Sequence, residues 1–237
     1  MPSDRPVGPV VEGWQAPPRP DALRLEGAYA LLEPMRADLH AAPIHDEFKG
    51  LDWIWDYMPN GPFADAAGYA AWMRGAEGQP DPWFLAIKNK ETGRWCGVAS
   101  YLRITPEQGG IEVGNIAFAP SLQRTRAATE AMALMMGWAF DAGYRRYEWK
   151  CNALNMPSRR AAQRLGFSYE GTFRQHMVVK GRNRDTAWFA ITDTDWPRLK
   201  DAFAAWLAPG NFDNEGRQRQ SLADLTAPVR VASDPLI

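Results

Sequence analysis

The residue types best suited to chemistry gather in one stretch. Ile111-Glu112-Val113-Gly114-Asn115-Ile116-Ala117-Phe118 is apolar and β-rich, Pro120 and Ser121 end it, and Gln123-Arg124-Thr125-Arg126-Ala127-Ala128-Thr129-Glu130-Ala131 follows. Apolar side chains at 131, 134, 135, 138 and 139 keep helical spacing, so the second segment opens a helix with one buried face. A short loop feeding a helix start leaves backbone N–H groups unpaired at the positive end of the helix dipole, which suits phosphate or pyrophosphate. The expected ligand is therefore anionic. Of the other reactive types, Cys96 and Cys151 lie in apolar segments with no CxxC or Cys/His spacing and read as buried reduced thiols. No metal set is visible. His176 is one of three histidines, and a lone histidine on a strand is more often a structural group than a base.

Composition sets bounds on the partner. The chain has 237 residues, 46% of them hydrophobic, enough for one sizeable globular domain. A formal net charge of −1 offers no global field for nucleic acid or an anionic membrane, so an anion site must be local. No apolar run approaches the ~20 residues of a membrane span, and Met1-Pro2-Ser3-Asp4-Arg5-Pro6 lacks the basic and apolar regions of a signal peptide. A cytoplasmic location is expected. Eleven tryptophans are the compositional oddity and should serve as core or pocket wall.

The elements that must position this chemistry can be read in order. Residues 1–21 are proline-rich and read as an extended arm. The domain runs over 22–208. Leu23 to Leu32 reads as a strand or small hairpin, and Asp38 to Phe48 as an imperfect helix broken by Pro43. Trp53 to Phe63 is an aromatic loop closed by Pro and Gly, after which Asp65 caps a helix carrying Tyr69, Trp72 and Met73. Strands at 83–89 and 95–104, joined by the turn Lys90-Glu91-Thr92-Gly93, make the 111–118 strand the third in an antiparallel meander. Tyr144 to Cys151 is a further strand, and Asn155-Met156-Pro157-Ser158 starts a helix that ends at Leu165-Gly166-Phe167. Strands 169–180 and 185–192 flank a hairpin tip, and Trp196 to Leu207 is the last helix. Residues 209–237 read as an irregular wrap or disordered tail. The sum is a mixed α/β fold, with a mostly antiparallel central sheet flanked by helices.

Two motifs in this order resemble a known family. Gln123 to Ala131 is similar to the acetyl-CoA loop of the GCN5-related N-acetyltransferases (GNAT), Gln/Arg-x-x-Gly-x-Gly/Ala. Asn155-x-x-Ser158 followed by Leu165-Gly166-Phe167 resembles an element of the ribosomal-protein N-acetyltransferase (RimJ/RimL-like) branch. The resemblance covers roughly residues 23–195 and implies the GNAT acyl-CoA N-acyltransferase fold, with acetyl-CoA as cosubstrate and no metal. It places the pantetheine arm in a gap between the 112–118 and 144–151 strands, against Ile116, Ala117 and Phe118. Gln123, Arg124, Thr125, Arg126, Ala127 and Ala128 then hold the pyrophosphate, and Asn155 and Ser158 the cofactor arm. Arg126 stands where the family usually has glycine. If that glycine has φ > 0 the loop must differ, although arginine also suits phosphate.

The same resemblance makes Glu112 the candidate base and Ser158 a donor toward the leaving thiolate. A tyrosine that is the general acid in other branches is absent, with Ala162 at the matching position. The acceptor pocket is expected to be bounded by Trp53, Trp55 and Tyr57, by Trp83 and Tyr101, and by Arg174 and His176. The expected activity is acetyl transfer to a primary amine, on a protein N-terminus or a small molecule. A catalytically idle acyl-CoA-binding domain is the alternative. A homodimer is compatible with the arm and tail, and nucleic acid and membrane are not expected partners.

Overall fold

The computed structural model describes residues 6–237. Eight strands form one sheet in the order β1-β2-β3-β4-β5-β6-β8-β7. They are β1 (Leu25–Glu26), β2 (Ala30–Pro34), β3 (Trp83–Asn89), β4 (Arg94–Thr105), β5 (Gly110–Phe118), β6 (Arg146–Asn152), β7 (Ser168–Val179) and β8 (Arg182–Thr192). All neighbours are antiparallel except β5 and β6. The parallel pair needs a crossover, which α3 (Arg126–Asp141) supplies. The fold is thus mixed α/β, as the element order indicates, with the 111–118 strand third in the meander.

Register assigns the faces of the sheet. Tyr101 pairs with Val113, and Val113 with Trp149, so these three share one face. That face is covered by α3: the Tyr101 hydroxyl donates to the Met135 carbonyl at 2.7 Å. It is also covered by α4 (Met156–Arg164), through the Trp149 indole and the Ser158 hydroxyl, while α5 (Trp196–Leu207) stacks Trp196 on Phe140 of α3. On the opposite face α1 (Ala37–Phe48) and α2 (Ala66–Ala76) lie over the β2–β4 side, where Phe84 meets Trp72 edge-on at 5.6 Å. Further along that face stand Glu112, Glu148 and Lys150. Both faces carry core, and on the second the β5–β6 stretch holds buried charge.

One expectation needs correction, and two open ones are answered. Pro43 does not break the first helix; α1 is continuous from Ala37 to Phe48 with Pro43 inside it, as its buried residues His40, Ala41, Ile44 and Phe48 hold one face to the core. Of the two readings of the tail, a wrap and a disordered end, the structure has the wrap. It forms α6 (Leu222–Thr226), buries Leu222 and Val229, and inserts Asp234 against Arg159. The last part of the arm lies on the body: Pro17 and Pro20 are buried, the Pro18 carbonyl accepts from the Tyr144 hydroxyl and Arg19 donates to the Ile104 carbonyl. The first five residues of the arm lie outside the described residues.

One anchoring device is invisible in sequence patterns. The Glu130 carboxylate of α3, 7% exposed, accepts backbone N–H bonds from Ala28, Tyr29 and Ala30 at 2.9, 2.6 and 2.6 Å. It ties the β1–β2 turn to the helix that opens the anion site. Gly27 is required there, because a Cβ would fall within the Glu130 carboxylate.

Candidate active site

The loop before α3 is built around Thr125, the helix N-cap. Its hydroxyl oxygen accepts from the Ala128 N–H at 3.1 Å while donating to the Leu122 carbonyl at 2.7 Å. Leu122, Gln123 and Thr125 spend their N–H groups on loop carbonyls. The N–H groups of Arg124, Arg126 and Ala127 have no acceptor among the described residues, and they lie at the positive end of a 16-residue helix. These groups fit the pyrophosphate of a coenzyme A thioester. The left-handed residue of the loop is Arg124, with φ 62, and not Arg126, the first helical residue. Arginine in the glycine slot therefore carries no backbone strain. The Arg126 side chain is also committed elsewhere: it pairs with Glu91 and stacks on Tyr29 and Phe212, 4.5 and 5.1 Å from the ring centroids. Arg124 is exposed and forms no ion pair among the described residues. Gln123 caps the Phe118 carbonyl at 2.7 Å and so holds the loop to the strand end.

Beside this loop the two parallel strands part. β5 and β6 pair only from Gly110↔Arg146 to Val113↔Trp149. Beyond Val113 the backbone of β5 remains bonded to β4 alone, so Ile116, Ala117 and Phe118 border an open gap. A bulge begins at the parting point. Asn115 and Ile116 together oppose Ala99, with Asn115 at φ 49 and its side chain bonded to Ser100 at 3.0 Å. Across the gap Asn155 caps α4, accepting from the Ser158 N–H at 3.1 Å. The Ser158 hydroxyl accepts from the Trp149 indole at 3.0 Å, so its remaining role toward a ligand is that of a donor.

Glu112 stands where the strands join, 2% exposed. Both its oxygens meet the Arg103 guanidinium at 2.8 Å, and Lys150 reaches Oε2 at 2.8 Å. Burial pushes the Glu112 carboxyl above its usual range, only partly offset by the charges and hydrogen bonds of Lys150 and Arg103. Arg103 is aimed by a second bulge: it sits at φ 46, and Asp81 accepts the loosened N–H groups of Arg103 and Ile104 at 3.0 and 2.9 Å. Lys150 also pairs with Glu148 at 2.6 Å and lies 3.9 Å from the Trp188 ring centroid. Sequence reasoning missed Lys150, although the alternation Tyr147, Trp149, Cys151 against Glu148, Lys150 marks β6 as charged on one face.

A third bulge carries His176. Arg174, Gln175 and His176 oppose Asp185, with Gln175 at φ 50. His176 Nδ1 is 3.0 Å from the Thr186 hydroxyl. Desolvation, then the charges of Arg184, Arg103 and Lys150, hold its pKa below the usual histidine value and favour the neutral ring. His176 and Arg174 line an open concavity on the hairpin with Phe173, Gln175, Asn183 and Asp185, whereas a separate cavity of about 340 Å³ lies between the 52–62 loop and the β7–β8 hairpin and is lined by Trp55, Tyr57, Leu154 and Arg184 among others. Lys180 bonds the Trp55 and Asn60 carbonyls at 2.9 and 3.1 Å and closes hairpin onto loop. Trp53 is 53% exposed on the same loop. Trp55 is mostly core, in edge contact with Phe48 and Phe63.

Tyr101 and Trp83 do not join this pocket. Tyr101 is fully buried under α3, and Trp83, its partner in register, shares its face of the sheet. Their strand positions are right, but the phase of the alternation sends both rings to the opposite face from Glu112.

Residues 30–168 match the family model of the acetyltransferase (GNAT) domain, more than half of the chain. The chain belongs to the GNAT acetyltransferase family. This GNAT chain is similar in structure to a GCN5-related N-acetyltransferase from Brucella melitensis, with 44% identity, 92% of this chain and 100% of that chain covered, and a TM-score of 0.89. It is also similar to a probable GNAT acetyltransferase from Chromobacterium violaceum, with 38% identity, 83% and 100% coverage, and a TM-score of 0.77. The microcin C7 self-immunity acetyltransferase MccE, solved with acetyl-CoA and AMP, shares the fold at 18% identity over 70% of this chain and 93% of its own, with a TM-score of 0.62. Comparison with curated protein sequences gives no match. Among the described residues no helix is long and apolar enough to cross a membrane, and no group of three His, Cys, Asp or Glu side chains is arranged to hold a metal.

Proposed function

We propose that this GNAT chain is an acetyl-CoA-dependent N-acetyltransferase acting on a primary amine, a protein N-terminus as in the RimJ/RimL-like branch or a small-molecule amine. The observation that carries this reading is the continuity of two features. The unpaired N–H groups at the start of α3 lie beside the gap between β5 and β6, and that gap closes at the Val113–Trp149 pair, one residue from Glu112. A phosphate-bearing thioester held at both points reaches from the loop to the carboxylate.

Acetyl-CoA supplies an already activated acyl group, so the chain needs to position it, receive the amine and move protons. Arg124, Arg126 and Ala127 offer N–H groups to the pyrophosphate, with Gln123, Thr125 and Ala128 shaping the loop. Ile116, Ala117 and Phe118 present strand backbone to the arm. Asn155 orients α4, and Ser158 donates its hydroxyl proton toward the departing sulfur. Glu112 accepts the proton of the amine, directly or through water, its raised pKa making it a stronger base than an exposed glutamate. Arg103 and Lys150 fix its orientation. Tyr57, Trp53, Arg174 and His176 border the side from which the acceptor arrives.

The test is free-thiol release from acetyl-CoA over a panel of amines and N-terminal peptides. Acceptor-dependent release is expected. Tight acetyl-CoA binding with no release on any acceptor would indicate the idle binding domain instead.

A further inference from the structure

We propose that the acceptor amine also carries an anionic group, a carboxylate or a phosphate, and that Arg184 binds it in the cavity between the 52–62 loop and the β7–β8 hairpin. This rests on the transferase reading above and names the class of its substrate.

The cavity is lined by three cations, Lys180, Arg182 and Arg184, and by Asp52 and Asp56 from the loop. These five side chains form no ion pair with one another, although they share about 340 Å³. Lys180 spends its ammonium on backbone carbonyls. Arg182 is exposed, so water solvates it. Arg184 differs. It is only partly exposed, its Nε donates a long 3.3 Å bond to the Thr186 hydroxyl, and no carboxylate among the described residues pairs with it. Burial makes its charge harder to keep. A guanidinium taken from water without a carboxylate is costly, and a ligand anion offsets that cost with two parallel hydrogen bonds.

Position completes the case. Arg184 lies two residues from Thr186 and four from Trp188, on the sheet face shared with Lys150 and Glu112. Trp188 on that face lies under the Lys150 ammonium at 3.9 Å, and Lys150 bonds Glu112 at 2.8 Å, so the face leads from the cavity to the carboxylate. Thr186 links Arg184 to His176. An acceptor whose anion meets Arg184 directs its amine along this face toward Glu112, and Asp52 and Asp56 on the loop wall attract the ammonium as it enters.

The experiment compares matched amines in the thiol-release assay: 4-aminobutyrate against butylamine, and O-phosphoethanolamine against ethanolamine. For the wild type, kcat/KM should favour the charged member of at least one pair by about tenfold or more, chiefly through KM. The pair that shows the preference tells carboxylate from phosphate. Arg184→Met should bring the ratio toward one, and Arg184→Lys should restore part of it. A wild-type ratio near one in both pairs, with thiol released from all four amines, overturns the inference and leaves the transferase reading standing. Release from none of the four counts against the transferase reading. The inference is then read from equilibrium binding to the CoA-saturated protein: tighter binding of a charged amine than its neutral partner upholds it, and equal or absent binding overturns it. Should Arg184→Met fail to fold, Arg184→Gln makes the same comparison, and a wild-type ratio in either folded variant overturns the role of Arg184.

Discussion

Arg159 of α4 and Asp234 of the C-terminal tail form a bidentate ion pair, 2.6 Å on both arms, with side chains 2% and 0% exposed. The third arm of Arg159 donates to the Ala153 carbonyl at 2.8 Å, at the exit of β6. The tail therefore braces the start of α4, one residue from Ser158 and beside the gap proposed for the coenzyme. Removing one partner strands a buried charge.

Asp234→Asn should lower unfolding stability by about 3 to 5 kcal/mol, measured by urea denaturation, and should raise KM for acetyl-CoA. The pH dependence follows from the sign of the Asp234 shift. Burial alone would raise its pKa, but hydrogen bonds from Arg159 and Leu236 and the Arg159 charge hold it below 3.8. Its contribution is complete above the unfolded value and is lost as pH falls through the lower folded one. Asp234→Asn should show a weaker loss of stability over that acid range than the wild type.

The two loop arginines should separate. Arg124→Ala should weaken acetyl-CoA binding by about tenfold at low salt, with the difference shrinking as salt rises. Arg126→Ala loses the Glu91 pair and the stacking on Tyr29 and Phe212 and should cost about 1 kcal/mol of stability. Its effect on affinity should be the smaller of the two. Calorimetric titration alongside thermal melts distinguishes them, and equal losses of affinity would contradict the assignment.

Glu112→Gln should reduce kcat by about a hundredfold or more. In the wild type the activity should fall on the acid side at a pH above 4.5, because burial raises the carboxyl. Lys150→Met removes a charge that lowers this pKa, so that limb should move to higher pH. An unchanged limb in Glu112→Gln would show that another group accepts the proton.

Gly27→Ala should destabilise the fold by about 1 to 3 kcal/mol through collision with Glu130. Glu130→Gln should also destabilise it, since three N–H bonds lose a charged acceptor. Because both act at one contact, the double variant should lose less than the sum.

How much of this was legible in the sequence depends on what each residue answers to. Strand 83–89 and helix 196–207 were readable to the residue, since apolar periodicity there is set by burial alone. The caps Asp65, Thr125 and Asn155 are local hydrogen-bonding devices, and of these Asp65 was named as a cap from its type and position. The bulges at Arg103, Asn115 and Gln175 were not legible. Each places a non-glycine residue at positive φ, for which only Asn115 gives a composition cue, and the bulges at Arg103 and Gln175 aim the site side chains Arg103 and His176. Tyr101 and Trp83 were misplaced because strand phase depends on pairing across the sheet. The sequence leaves open whether Arg124 or Arg126 turns its side chain to phosphate, because the partners that take the Arg126 guanidinium, Glu91, Tyr29 and Phe212, are distant in sequence.

The central claim is that one site carries acetyl-CoA and passes its acetyl group to an amine. Its most direct test measures free thiol and acetylated amine together in a single reaction, by absorbance and by mass spectrometry. The account predicts one acetylated amine for each thiol released, with both rates falling in step in Glu112→Gln. Thiol release without an acetylated amine, or acetyl-CoA binding with neither product across the panel, would contradict it.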